Sequence, residues 1–187
     1  MNAKTYVLLF VGLMAFASCS KKADNDSKEM AEDQNEEKFD STKIEDDTEF
    51  AVAAADGGML EVKLGELAVA NAASAEVKKF GQAMIDDHSK ANSELKALAE
   101  QKQITIPTTL SDKCQKTYDE LSAKKGAEFD KAYAELMVKD HKDDVDAFKK
   151  EADKGNDPEL KSWAANKVTT LEHHLMMAES TEKAVNK

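Results

Sequence analysis

The apolar residues of this chain recur at every third or fourth position from Phe50 onward, and this spacing constrains the fold more than any other feature. A repeat of that length places apolar side chains on one face of an α-helix. Four such stripes follow one another, over residues 50–67, 77–98, 134–148 and 160–178. With seven glycines and two prolines among 187 residues, the chain has too few turn residues for a β-sandwich or barrel. The pattern therefore predicts an all-α protein.

Polar residues between the stripes predict where the helices begin. Thr48, Ser74 and Asp157, the last followed by a proline, are typical of helix N-termini, and Thr108 or Thr109 can cap a short helix. Short turns join the first two long helices and the last two, so each pair should be antiparallel. The expected domain, residues 48–182, is an antiparallel four-helix bundle with one additional short helix. Its expected helices are 48–71, 74–102, 109–124, 127–154 and 158–182.

The first 19 residues resemble a bacterial lipoprotein signal. Lys4 supplies a positive charge, and the apolar run from Tyr6 to Ala17 is shorter than the roughly 20 residues of a bilayer span. Small residues then precede Cys19, as they do in the lipobox, where the cysteine is lipidated and becomes the mature N-terminus. By resemblance to known sorting rules, Ser20 favours the outer membrane. We expect Cys19 to anchor the protein there, facing the periplasm; the alternative is an ordinary secretory signal with a chance cysteine.

An acidic segment follows the signal. Residues 20–49 contain 12 Asp or Glu and five Lys, and their only large apolar side chains are Met30, Phe39 and Ile44. Such a segment buries too little apolar surface to offset its ordering entropy. We therefore expect residues 20–47 to form a disordered, charged tether that holds the bundle away from the membrane.

Composition excludes several classes of function. All 26 basic residues are lysines, and with 37 acidic residues the net charge is −11. Because nucleic-acid recognition relies on basic patches and arginine forks, no nucleic-acid partner is expected. The sequence contains no GxSxG, P-loop, GxGxxG or CxxC motif. Lipidation of Cys19 would leave Cys114 without a disulfide partner, as a half-buried and unreactive thiol.

Histidines are the side chains that point most clearly to a specific site. At about 100° per residue, His88 and His141 fall on the apolar stripes of their helices, and His174 lies at the edge of its stripe. His173 faces the opposite side. At about 1.5 Å per residue, His141 lies within roughly a turn of His174, and His88 lies opposite Gly57-Gly58. Three histidines are therefore expected to face the interior near one level.

Carboxylates flank these histidines. Glu61, Asp87, Asp140 and Asp144 lie on neighbouring helix faces, and with three imidazoles they make up a nitrogen and oxygen ligand set suited to a transition metal ion. The set differs from the di-iron pattern, in which a glutamate precedes each histidine by three residues. Here those positions hold Ile85, Val138 and Leu171. A ferroxidase or di-iron oxygenase is therefore disfavoured.

A methionine lies three or four residues from each inward-facing histidine. The three are Met84, Met137 and Met177. Thioethers suit Cu(I), but methionine is also a common core residue, and carboxylates can hold buried histidines in place. Three interpretations stay open: structural histidines, a metal or small-ligand site, and a catalytic centre.

Four segments together resemble a family of uncharacterised bacterial envelope proteins, domain of unknown function 4142, which is grouped with ferritin-like bundles. They are 50–61, 80–88, 137–148 and 171–175. The resemblance covers about residues 48–180 and implies a ferritin-like fold and an envelope location. It implies no established activity, substrate or metal. It also implies signature positions at Glu61, Asp87, His88, His141 and His174.

Two functions are compatible with these observations. The first is a lipid-anchored, non-enzymatic binding module that holds a transition metal ion or another small ligand in the bundle. Its candidate ligands are His88, His141, His174, Glu61 and Asp87. The second is a metal-dependent redox enzyme of the bacterial envelope. The sequence indicates no particular protein partner.

Overall fold

Six α-helices account for most of residues 26–187, the part of the chain that this computed structural model describes. They are α1 (Ser27–Phe39), α2 (Glu45–Asn71), α3 (Ala75–Lys102), α4 (Asp112–Ser122), α5 (Gly126–Lys154) and α6 (Pro158–Val185). This range contains no β-strand, which confirms the all-α prediction. None of its helices is both long and apolar enough to cross a membrane. The predicted signal, residues 1–19 with Cys19, lies outside the described residues.

The four long helices form two hairpins that pack against each other. Three residues separate α2 from α3, and three separate α5 from α6. The partners within each hairpin pack along each other, α2 also contacts α5, and α3 contacts α6. The predicted antiparallel four-helix bundle is therefore confirmed. The short helix α4 lies against α2 and α5.

Side-chain caps stabilise two of the predicted helix starts. The hydroxyl of Ser74 accepts hydrogen bonds from two backbone N–H groups of the first turn of α3, at 3.2 and 3.4 Å. The carboxylate of Asp157 accepts two at the start of α6, both at 3.0 Å. Each cap satisfies N–H groups that have no partner within the helix.

Two predicted caps are wrong. Thr48 lies inside the first turn of α2, where its hydroxyl donates to a backbone carbonyl at 2.8 Å. Ser111, and not Thr108 or Thr109, caps α4. The reason is a buried contact between distant residues: Asp56 accepts hydrogen bonds from the Ser111 N–H at 2.9 Å and from its hydroxyl at 2.6 Å. This contact places the start of α4 at Ser111.

The predicted disordered tether over residues 20–47 is wrong for residues 26–47. This part contains α1 and the start of α2, so two short helices accompany the bundle where one was predicted. Asn35 is buried on α1, and its amide makes two hydrogen bonds with the backbone of Thr105, each 2.7 Å long. Lys38 also donates to the Thr105 hydroxyl. The disordered tether was predicted from the low apolar content of this segment. That criterion missed α1, because polar contacts attach this helix to the bundle.

Two apolar clusters fill the bundle, and a polar layer lies between them. Along α3, Met84 belongs to the first cluster and Leu95 to the second, with His88 in between. Along α6, Leu160 belongs to the second cluster and Ala178 to the first. The polar layer therefore lies deep inside the bundle.

We expect Asn35→Ala to lower the free energy of unfolding by about 1–3 kcal/mol, because it leaves the half-buried backbone groups of Thr105 without their partners. Urea unfolding measures this difference. Glu37→Ala on the exposed face of α1 is the matched control and should change it little. If Asn35→Ala also has no effect, α1 does not contribute to the folded domain.

Candidate metal centre

Three histidines from three different helices meet in the polar layer. His88 is on α3, His141 on α5 and His174 on α6, with relative exposures of 6%, 0% and 0%. Their ring centroids lie 5.2 to 5.8 Å apart. One ring nitrogen of each lies within 4.8 Å of one from each of the others. The structure thus brings together the three histidines that the sequence predicted to face inward.

Each imidazole is held through one of its two nitrogens. His88 Nδ1 lies 2.8 Å from a carboxylate oxygen of Glu61, and His174 Nε2 lies 2.8 Å from one of Asp87. His141 Nδ1 donates to the backbone carbonyl of Met137 at 3.1 Å. Such contacts fix the tautomer and orientation of metal-binding histidines in proteins.

The second nitrogen of each ring is buried without a partner. His88 Nε2, His141 Nε2 and His174 Nδ1 make no hydrogen bond to any described residue. A buried polar atom without a partner costs roughly 1–3 kcal/mol, and native structures contain few of them. Three in one layer, each on a ring oriented by its other nitrogen, indicate an arrangement suited to binding an ion.

The imidazoles are neutral at pH 7. Burial, together with the neighbouring His88 and His174, lowers the pKa of His141 to about 3. Burial likewise lowers the pKa of His174 to about 4, against the opposing effect of Asp87. It also lowers the pKa of His88. Neutral imidazoles have the free lone pair that metal coordination needs.

Three carboxylates adjoin the histidines. Glu61 on α2 and Asp140 and Asp144 on α5 each place an oxygen within 4.8 Å of the others. Burial raises the pKa of Glu61 well above its ordinary value, and the negative charge of Asp140 adds to this. Burial also raises the pKa values of Asp140 and Asp144. Within the described range, no lysine nitrogen lies within 4.0 Å of these three carboxylates.

Other polar and sulfur-containing residues lie in different surroundings. His173 is exposed, as its helical phase predicts. Asp56 binds Ser111 and lies 3.1 Å from the sulfur of Cys114. Burial raises the pKa of Cys114 to about 12, so its thiol is protonated, in agreement with the expected unreactive cysteine. The methionines Met84, Met137 and Met177 lie in or against the first apolar cluster.

The residues of α2 that lie opposite His88 differ from those that the sequence predicted. Gly58 packs closely against Asn92. A Cβ atom at Gly58 would lie only 2.1 Å from the Asn92 side-chain oxygen. His88 is placed opposite Glu61 instead of the two glycines. The difference of about one turn follows from helix packing, which residue counting from the turn does not capture.

Sequence reasoning missed Tyr133, which lies two turns before His141 on the same face of α5. Its ring packs between Phe129 and Phe80, with centroid distances of 5.6 and 5.7 Å. Its hydroxyl is buried without a hydrogen-bond partner among the described residues. The eight-residue spacing to His141 was the signal in the sequence, since 133, 137 and 141 share one stripe.

A cavity of about 100 Å³ between α3 and α6 borders two of the histidines. Its walls include His88, His174, Asp87, Lys90 and Lys167. The volume is enough for a few small-molecule atoms but not for a large ligand. The cavity therefore places open space beside the histidine layer.

The fold and the site define a class: an all-α bundle with a buried cluster of histidines and carboxylates. Within that class the chain belongs to the family described as domain of unknown function DUF4142, whose model matches residues 25–181. The predicted family membership is confirmed. No curated protein and no solved structure gives a significant match to the chain.

We expect His141 to contribute a loss of stability to the chelator-treated protein as the pH falls from about 6.5 towards 4. Below pH 6.5 the unfolded chain protonates His141, whereas its folded pKa of about 3 keeps the ring neutral. Each pH unit in this window therefore costs about 1.4 kcal/mol for such a group.

Urea unfolding at several pH values measures this loss. With falling pH, His141→Leu should gain stability relative to the natural protein, and the exposed His173→Leu should keep the pH dependence of the natural protein. The carboxyl groups with raised pKa values act in the opposite sense in all three proteins, so the difference between the proteins measures the histidine contribution. An identical pH dependence in all three would contradict the prediction.

Proposed function

We propose that this protein is a membrane-anchored metal-binding module of the bacterial envelope, with one transition metal ion held by His88, His141 and His174. The observation that carries the proposal is the set of three buried, neutral imidazoles, each oriented through one nitrogen and each with the other nitrogen unpartnered. A cation in this layer would give all three free lone pairs a partner.

The distances are compatible with shared coordination after small side-chain movements. Nitrogens about 2.0–2.1 Å from one tetrahedral ion lie roughly 3.3 Å from each other. The ring nitrogens here lie within 4.8 Å of one another, so each pair needs to close by at most about 1.5 Å. Imidazole ligands suit zinc, copper, iron and nickel ions.

Glu61 and Asp87 have different roles in the proposed metal site. Asp87 is half exposed and acts on His174 from the surface side, as an orienting partner. Glu61 is buried, contacts His88 at 2.8 Å and lies 3.4 Å from His141, so its carboxylate can itself become a ligand. The thioether ligation considered for Cu(I) has less support, because the methionines contribute to apolar packing.

A redox enzyme is the second candidate function. The cavity between α3 and α6 favours it, because a small molecule in that space would lie beside His88 and His174. Turnover of peroxide, oxygen or Fe(II) that disappears in His174→Ala would support this function. Turnover that is indifferent to this change would rule it out.

The proposed location rests on the lipobox at Cys19, with the bundle in the periplasm at the outer membrane. α1 begins with its cap at Asp26, so seven residue steps connect it to Cys19. An extended chain of that length spans at most about 25 Å. The bundle would therefore lie close to the membrane and not at the end of a long tether.

We expect His141→Ala to lower the affinity of the metal-free protein for Co(II) by more than about 100-fold, because it removes a direct ligand. Asp87→Ala should lower it by about 10- to 100-fold, since it removes an orienting partner. Visible spectroscopy of Co(II) titrations measures both. His173→Ala, one residue from His174 but exposed, should bind like the natural protein. Equal and weak binding by all four proteins would overturn the proposal.

We expect Cys19→Ala to move the protein from the membrane fraction to the soluble fraction, because the lipid acceptor is removed. Fractionation of expressing cells, with mass spectrometry of the N-terminus, measures this change. Cys114→Ala keeps the proposed anchor and serves as the control. If Cys19→Ala remains in the membrane fraction, Cys19 is not the anchor.

A further inference from the structure

We propose that the bundle has a second cation position next to the histidines, formed by the carboxylates of Glu61, Asp140 and Asp144, with Glu61 bridging the two positions. The inference rests on the proposed function, because it assumes that the three histidines hold the first ion. Its ligand class is a hard divalent cation, for which Mn(II) is a suitable probe.

The geometry comes from two overlapping clusters. The oxygens of the three carboxylates lie within 4.8 Å of each other, as do the nitrogens of the three imidazoles. Glu61 belongs to the carboxylate cluster and also contacts the histidine cluster, through His88 at 2.8 Å and His141 at 3.4 Å. Bridging carboxylates hold two ions about 3.5–4 Å apart in two-metal sites.

Two buried acceptor atoms provide independent support. His141 donates through Nδ1 to the Met137 carbonyl, so in the neutral ring Nε2 carries a lone pair. That atom lies 3.4 Å from Glu61 Oε1, also an acceptor when ionised, and neither makes a hydrogen bond with a described residue. A cation beside these two atoms would give a partner to both of them.

Charge balance leads to the same conclusion. In the described part of the chain no lysine pairs with Glu61, Asp140 or Asp144. The carboxyl groups must either hold protons or bind a cation. A divalent ion satisfies several of them at once.

The two positions offer different donor atoms. The first presents imidazole nitrogens, which suit borderline ions such as Zn(II) or Co(II), and the second presents only oxygens, which suit Mn(II), Mg(II) or Ca(II). Asp140 and Asp144 are half-buried, whereas Glu61 is 2% exposed. The second position is thus open to solvent through its aspartates.

The test measures bound metal in the full bundle by equilibrium dialysis and elemental analysis. The metal-free protein is loaded with Zn(II) and then with Mn(II). We expect one ion of each kind per chain. Asp144→Asn should lower the Mn(II) affinity at least tenfold and leave the amount of bound Zn(II) unchanged. Asp143→Asn, the exposed neighbour on α5, should behave like the natural protein.

A stability measurement separates lost ligation from misfolding. In chelator, Asp144→Asn should melt no earlier than the natural protein, because it replaces a half-buried acidic group by a neutral one of similar size. Addition of Mn(II) should then raise the melting temperature of this variant less than that of the natural protein. If the variant loses no Mn(II) affinity, the second position is overturned.

Electron paramagnetic resonance tests whether the two ions are adjacent. The Mn(II) spectrum should broaden when paramagnetic Co(II) replaces Zn(II) at the histidines. Identical spectra would overturn the bridging role of Glu61. His141→Ala should lose Zn(II).

The outcomes for the two positions can be told apart. One ion that depends on His141 but not on Asp144 overturns the second position and leaves the proposed function intact. An ion that depends on Asp144 but not on His141 supports the carboxylate position and overturns the histidine site. Absence of any bound ion overturns both.

Discussion

The contact of Glu61 with two histidines in the bundle interior is the interaction on which the rest of this structure depends. A carboxylate that is 2% exposed, next to rings of 6% and 0% exposure, is costly to bury. Apolar residues of similar volume would in general be as stable or more stable at such positions. The apolar clusters on either side supply the packing that offsets this cost. The polar layer therefore lowers stability, and the metal binding proposed above would give it a use.

Close packing of α2 and α3 makes that contact possible. A Cβ atom at Gly65 would lie 2.6 Å from the Gly81 carbonyl oxygen, and one at Gly81 would lie 2.6 Å from the Ala68 Cβ. Only glycine permits this approach of two backbones. Glu61 lies one turn from Gly65, so the short distance between the helices carries its side chain to His88. The second hairpin then supplies the other two histidines.

The sequence predicted much of the site but few of its contacts. His88, His141 and His174 were correctly expected to face inward, because helical periodicity gives the direction of a side chain around its own helix axis. Asn35 was missed, since its partner is a backbone 70 residues away and no local pattern marks it. The same holds for Asp56, whose partner Ser111 determines where α4 begins. Contacts of this kind require the positions of two separate segments.

The sequence by itself determined the helical class, the four long helices and the inward direction of three histidines, because these follow from spacing along one chain segment. Only the tertiary structure decided that Glu61 faces His88, that Asp140 and Asp144 join Glu61, and that residues 27–39 fold onto the bundle. The physical reason is that a helical repeat sets angles within a helix. The relative height and rotation of two helices depend on how their side chains interlock, and that is a property of the packed bundle.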